Sequence, residues 1–257
     1  MVRVEDLDVG RCRPESAEQQ LGDLAAIGLE WDLPVVRQSD RTALYGDALD
    51  QLRRGDLLYE CWCSRAEIRE ASSAPHGATP RYPGTCLRLT ASELAERRAG
   101  SRQPALRVRA DRAQITFFDR VHGQQSDTVD DFVVARQDGS VAYHLAVVVD
   151  DAAQSIDEVV RGDDLLASTA AQCWLAQQLQ LERPSYVHLP LLRDQNGTRL
   201  SKRDQSTRLA GQQTLGRTPR QVRGDLAASV GLGERGDNLD NDELLRRFNS
   251  TFVESSA

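Results

Sequence analysis

The run Leu145-Ala146-Val147-Val148-Val149, closed by Asp150-Asp151, constrains the fold more than any other stretch of the chain. A continuous apolar run of this length suits a strand buried on both faces, and such strands belong to parallel sheets covered by helices. Leu106–Arg109, Ile115–Phe118, Phe132–Ala135, Glu158–Arg161 and Tyr186–Leu192 read as further strands. Leu21, Leu24 and Ile27 recur at helical spacing in 14–27, and Tyr45, Ala48, Leu49 and Leu52 repeat the pattern before Gly55. Ser168–Leu179, Pro219–Val230 and Asp242–Phe248 are predicted helices. Strands alternating with helices predict an α/β fold, a Rossmann-like doubly wound parallel sheet.

Residues 56–104 change character. A short strand over Leu57–Trp62 is followed by a Ser/Pro/Gly-rich loop from Ser72 to Gly84 and a helix opened by the capping box Thr90-x-x-Glu93. The expected organisation is a core formed by 1–55 and 105–210, a small α+β insertion at 56–104, and a helical segment at 211–257.

The insertion holds Cys61, Cys63 and Cys86, too few and too unevenly placed for a disulfide framework. A metal site is the better reading, although C-x-C is less diagnostic of zinc than paired C-x-x-C. His76 in the same loop is the more usual fourth ligand by chemistry alone. Cys173, within an apolar helix, is expected to be a packed thiol.

No stretch approaches the ~20 apolar residues of a membrane span, and Met1 is followed by charged residues, so a cytoplasmic protein is expected. The formal charge of −7 gives no global attraction to RNA, so any RNA contact must come from local basic patches such as Arg217 to Arg223.

Thr198-Arg199-Leu200-Ser201-Lys202-Arg203 follows the predicted turn Asp194-Gln195-Asn196-Gly197, where a sheet presents a loop to ligand and a lysine can meet a polyphosphate. Alone the triplet is common. Combined with Arg3-Val4-Glu5-Asp6-Leu7-Asp8, Tyr143-His144-Leu145 and Val160-Arg161-Gly162, the order and spacing resemble the catalytic core of the glutamate-activating class I aminoacyl-tRNA synthetases over nearly the whole chain.

The resemblance implies that Glu5 faces the amino-acid ammonium, that Tyr143 and Arg161 close the glutamate pocket, and that Ser201 and Lys202 bind ATP. Arg161 suits this role because its planar fork can hold a carboxylate by two charge-assisted hydrogen bonds. Lys202 stabilises charge developing on the phosphates, help that can reach about 3 to 4 kcal/mol. Arg199 keeps the positive charge where the family motif usually has its first lysine. Asp150 and Asp151 are read as serving the sheet edge and its loop rather than catalysis.

Among family members, the resemblance is to the short ones, for which zinc is held by three thiolates and a tyrosine; the ligands implied are Cys61, Cys63, Tyr82 and Cys86, with His76 the rival to Tyr82. Four protein ligands leave no open position, so zinc is expected to be structural. About fifty residues follow Lys202, with no helical anticodon-binding region, and Val147 stands where discriminating synthetases commonly place asparagine. These features imply ATP-dependent, tRNA-independent activation of glutamate, with magnesium accompanying ATP, and transfer to the queuosine of tRNA(Asp) by a monomer. The alternatives are a truncated enzyme charging tRNA(Glu) and a non-catalytic, zinc-stapled RNA-binding remnant.

In the family a first strand and a phosphate-gripping His-Gly motif precede the segment matching Arg3-Val4-Glu5. The expectation is therefore a gene start placed too late and a chain of marginal stability, since a buried central strand contributes roughly 10 kcal/mol.

Overall fold

The computed structural model describes residues 1–8, 10, 12–72, 81–191 and 209–250. These divide into two compact units, 1–36 with 191–257, and 37–190.

In the first unit, β1 (Arg3–Val4) and α1 (Pro14–Ala26) are followed by Val36, the first residue of β2 (Val36–Arg37), whose amide donates to Val2 O at 2.9 Å. Pro14 opens α1, where its missing N–H costs nothing.

The second unit begins with α2 (Thr42–Arg54), which buries Tyr45, Ala48 and Leu52, and continues through β3 (Leu58–Cys61), α3 (Arg65–Ser72) and α4 (Ala91–Ala99). The expected capping box opens α4: the Thr90 side chain accepts from the Glu93 amide, and Glu93 accepts from the Thr90 amide at 2.8 Å. Next come β4 (Ala105–Val108), β5 (Gln114–Asp119), β6 (Gly123–Thr128), β7 (Val133–Ala135), α5 (Tyr143–Ala153), β8 (Glu158–Gly162), α6 (Leu166–Leu179) and β9 (Ser185–Leu189).

Two sheets result. One is antiparallel, in the order β3-β4-β7. The other runs β6-β5-β9-β8, with β5, β9 and β8 parallel and β6 returning antiparallel to β5. β8, α6 and β9 form a crossover unit, the connection that parallel neighbours require. The parallel core is thus present, but β4 and β7, read from sequence alongside its strands, belong to the antiparallel sheet. That sheet also pairs β3, at one end of the expected insertion, along its length with β4.

The larger correction concerns Leu145–Val149, which is helix and not strand. The helix continues through Asp150, Asp151, Ala152 and Ala153 and buries Leu145 to Asp150 without interruption. A run apolar on all sides also describes a helix packed all round, and burial between elements overrides the strand preference of three consecutive valines. α5 packs against α2 and α6, and Tyr45, Leu52, Leu145, Cys173 and Leu175 are fully buried in this core.

Asp150 changes role with the helix. It is fully buried and accepts from Gln38 Nε2 (2.8 Å), Tyr45 Oη (2.9 Å) and Arg41 Nε (2.6 Å), tying the start of α2 to α5. It serves this junction rather than a sheet edge.

The first unit is completed by α7 (Leu209–Thr214), α8 (Pro219–Ser229) and α9 (Asn241–Phe248). A second capping box, Thr218 with Gln221, opens α8, and Ala227, Leu232, Leu239 and Leu244 form a small core. Arg223 donates through Nη1 to Ile27 O at 2.7 Å and through Nε to Leu239 O at 2.8 Å. A Cβ on Gly224 would lie 2.0 Å from Asp237 O, so this helical position is open only to glycine.

Candidate active site and cysteine cluster

β8 and β9 pair so that Arg161 stands directly beside His188. Adjacent residues of neighbouring strands project from the same face, and here that face meets α6. Arg161 Nε donates to His188 Nε2 at 2.9 Å, and Nη2 donates to Thr169 Oγ1 at 2.8 Å. His188 Nδ1 lies 2.6 Å from Asp119 Oδ2, at the end of β5. Asp119, Thr169 and His188 are fully buried. The Arg161 guanidinium sits 5.6 Å from the centre of the Tyr186 ring, within reach of its negative face.

Burial works against ionisation of Asp119. Bonds from the His188 ring and from the His122 and Val121 amides nevertheless hold its carboxyl below the usual value. At the N-terminus of α5, Tyr143 is exposed and its ring meets His144 edge-on at 5.7 Å. Burial, aided by the charge of Arg161, pushes His144 down to about 4, so its imidazole is neutral. The charge of Arg161 thus reaches His144, the residue after Tyr143. Glu5, in the first unit just after β1, is exposed and lies 3.6 Å from Arg3 Nη2. Arg199, Ser201 and Lys202, as well as His76, lie outside the described residues.

The second constellation joins all four implied metal ligands. The Sγ atoms of Cys61, Cys63 and Cys86 lie within 4.8 Å of one another, and those of Cys63 and Cys86 are 3.5 Å apart. Tyr82 Oη is 3.4 Å from Cys61 Sγ and 3.9 Å from Cys63 Sγ. Three thiolates around one zinc at about 2.3 Å in a tetrahedron stand about 3.8 Å apart, so the donor set fits a single ion with the Tyr82 oxygen as the fourth corner. Arg107, almost fully buried, stacks over the Tyr82 ring at 3.8 Å and donates to Asp131 O at 2.7 Å. Burial pushes Cys63 up to about 12, reinforced by its bond with Cys86 and the neighbouring sulfur charges. At Cys61 burial is outweighed by the Tyr82 hydroxyl, the Arg107 guanidinium and the Cys63 amide, and the thiol falls below its ordinary value.

Sequence reasoning missed Asp119, His188, Thr169 and Arg107. A histidine inside a strand pattern was the available signal for His188, because a buried imidazole needs partners on both nitrogens.

Residues 1–223 match the model of the family described as tRNA synthetases class I (E and Q), catalytic domain. The chain belongs to this family. It is 52% identical over 235 residues to a glutamyl-Q tRNA(Asp) synthetase of Nocardia farcinica, covering 91% of this chain and 75% of that protein. A glutamyl-Q tRNA(Asp) synthetase of Symbiobacterium thermophilum is 43% identical, with 96% and 81% covered. A glutamate–tRNA ligase of Halorhodospira halophila is 40% identical over 80% of this chain and 46% of its own length. The fold is that of a glutamate tRNA ligase from Elizabethkingia meningosepticum, solved in complex with its amino acid, with TM-score 0.74, 24% identity, and 95% of this chain covered. The chain spans 57% of that structure's length. No helix among the described residues is long and apolar enough to cross a membrane.

Proposed function

We propose that this family member activates glutamate with ATP, without requiring tRNA, and transfers it to the queuosine at the wobble position of tRNA(Asp). The observation that carries the reading is the 52% identity, over 91% of the chain, to an enzyme named for that acceptor. The Arg161 neighbourhood supports the amino-acid half of it.

In the first step an oxygen of the glutamate α-carboxylate attacks the α-phosphorus of ATP, the bond to the β-phosphate bridging oxygen breaks, and pyrophosphate leaves. Arg161 is already fixed by His188 and Thr169 and offers its remaining N–H groups to the glutamate side-chain carboxylate, so little ordering cost accompanies binding. Tyr143 is assigned to the glutamate pocket and Glu5 to the ammonium by the family resemblance alone. Lys202 and Ser201 are assigned to the phosphates, with magnesium accompanying ATP. In the second step a hydroxyl of the queuosine cyclopentene-diol attacks the adenylate carbonyl and AMP leaves.

Cys61, Cys63, Tyr82 and Cys86 would hold zinc. When bound, the ion supplies a structural cross-link between the end of β3 and the loop before α4. The chain acts as a cytoplasmic monomer on this reading.

Transfer of labelled glutamate to queuosine-containing tRNA(Asp), compared with unmodified tRNA(Asp) and tRNA(Glu), tests the acceptor. Label on the queuosine-containing tRNA alone is expected; label on tRNA(Glu) would overturn this acceptor.

A further inference from the structure

The arrangement around Arg161 contains more than a substrate-binding arginine. A guanidinium N–H can only donate, so His188 Nε2, 2.9 Å from Arg161 Nε, must present its lone pair. A neutral imidazole with an acceptor at Nε2 carries its proton on Nδ1, and that proton is donated to Asp119 Oδ2 at 2.6 Å. Asp119 is fixed in turn. Its Oδ1 accepts from the Val121 and His122 amides at 3.0 and 2.9 Å, and its Oδ2 also accepts the His188 amide at 3.1 Å. Thr169 Oγ1 takes Nη2 of Arg161 at 2.8 Å, while no bond from Nη1 is present among the described residues.

We infer that Asp119 and His188 are positioning residues that fix the imidazole tautomer and thereby aim the Nη1 end of Arg161 at the side-chain carboxylate of an amino-acid substrate. The inference rests on the glutamate-activation reading for the identity of that carboxylate. An ordinary core histidine would need only satisfied nitrogens. Here the Nδ1 bond to Asp119 sets the tautomer, and Nε2 accepts from the one arginine that the reaction calls for.

The chemistry of an Asp119→Asn variant follows from the backbone donors. Two backbone amides need an oxygen at the Oδ1 position and only the His188 amide needs one at Oδ2, so the new NH2 faces His188 at the cost of that single amide bond. The imidazole then has to accept at Nδ1 and carry its proton on Nε2, which opposes the Arg161 Nε–H and leaves that proton only the Thr169 hydroxyl, 3.3 Å away and already the acceptor of Arg161 Nη2. Loss of this charge-assisted bond is expected to raise KM for glutamate about ten- to hundredfold in pyrophosphate exchange. The KM for ATP should stay within about twofold, because the change is confined to the amino-acid pocket.

Replacing His188 separates the two bonds. His188→Gln can still place an acceptor oxygen near Nε2, whereas His188→Asn reaches only toward Asp119, so glutamine should restore glutamate KM relative to asparagine. Nitrogen NMR of the histidine ring should report a proton on Nδ1 in the wild type and on Nε2 in Asp119→Asn. An unchanged glutamate KM in Asp119→Asn, or equal behaviour of the two His188 variants, would overturn the inference. A wild type with no glutamate-dependent exchange overturns the activation reading. In that case the Arg161 Nε–H resonance decides the relay by itself: it must shift in Asp119→Asn, and a resonance that stays in place overturns it.

Discussion

Replacing Asp150 with alanine should cost this chain a large part of its stability without touching the proposed substrate pocket. The carboxylate is fully buried and receives Gln38, Tyr45 and Arg41 through bonds of 2.8, 2.9 and 2.6 Å. Removing it takes the acceptor from two buried neutral donors and leaves a guanidinium whose side chain is only 19% exposed. A buried donor that loses its partner costs about 1 to 3 kcal/mol, and breaking a buried ion pair about 3 to 5 kcal/mol. Because Arg41 can turn partly to water, a net loss of about 4 kcal/mol is expected, or roughly 8 to 16 °C in Tm for a chain of this size. Asp150→Asn keeps one acceptor oxygen but turns an NH2 toward a donor, and should lose about half as much. Urea denaturation followed by circular dichroism measures both. An alanine variant within about 1 kcal/mol of wild type would refute the argument, since that is the scale of an ordinary surface change.

Other expectations follow from the same structure. His144 falls from 6.5 unfolded to about 4 folded, so the unfolded chain binds more protons between these values, and stability should drop as pH falls through that window, by up to about 3 kcal/mol; the slope should flatten in His144→Gln. Purified protein should carry one zinc by mass spectrometry, lost in Cys63→Ser and held more weakly in Tyr82→Phe, because the four donors converge on one point. Gly224→Ala should destabilise the first unit by more than about 2 kcal/mol on thermal unfolding, its new Cβ meeting backbone at Asp237 rather than a side chain that could turn away.

Much of this architecture was legible where the signal is local. The capping box at Thr90–Glu93 needs only four residues, and α2 and α6 lie where helical spacing placed them. The cysteine cluster was legible from residue type, and the structure places the Tyr82 hydroxyl 3.4 Å from Cys61 Sγ. Leu145–Val149 was misread because an unbroken apolar run has no period from which to choose between buried strand and buried helix; only the length of the element, continuing through Asp150 and beyond, decides. Asp150 followed it into error. Asp119 and His188 were missed for a different reason. They are 69 residues apart, and only the parallel pairing of β5 with β9 brings them to hydrogen-bond distance.

Glutamate-dependent ATP–pyrophosphate exchange in the absence of tRNA is the decisive assay for glutamate activation at Arg161. Exchange is expected with glutamate and not with aspartate or glutamine, with a loss of at least tenfold in kcat/KM for Arg161→Lys, whose single ammonium cannot replace the fork held by His188 and Thr169. No glutamate-dependent exchange in the wild type, or exchange indifferent to Arg161, would contradict it.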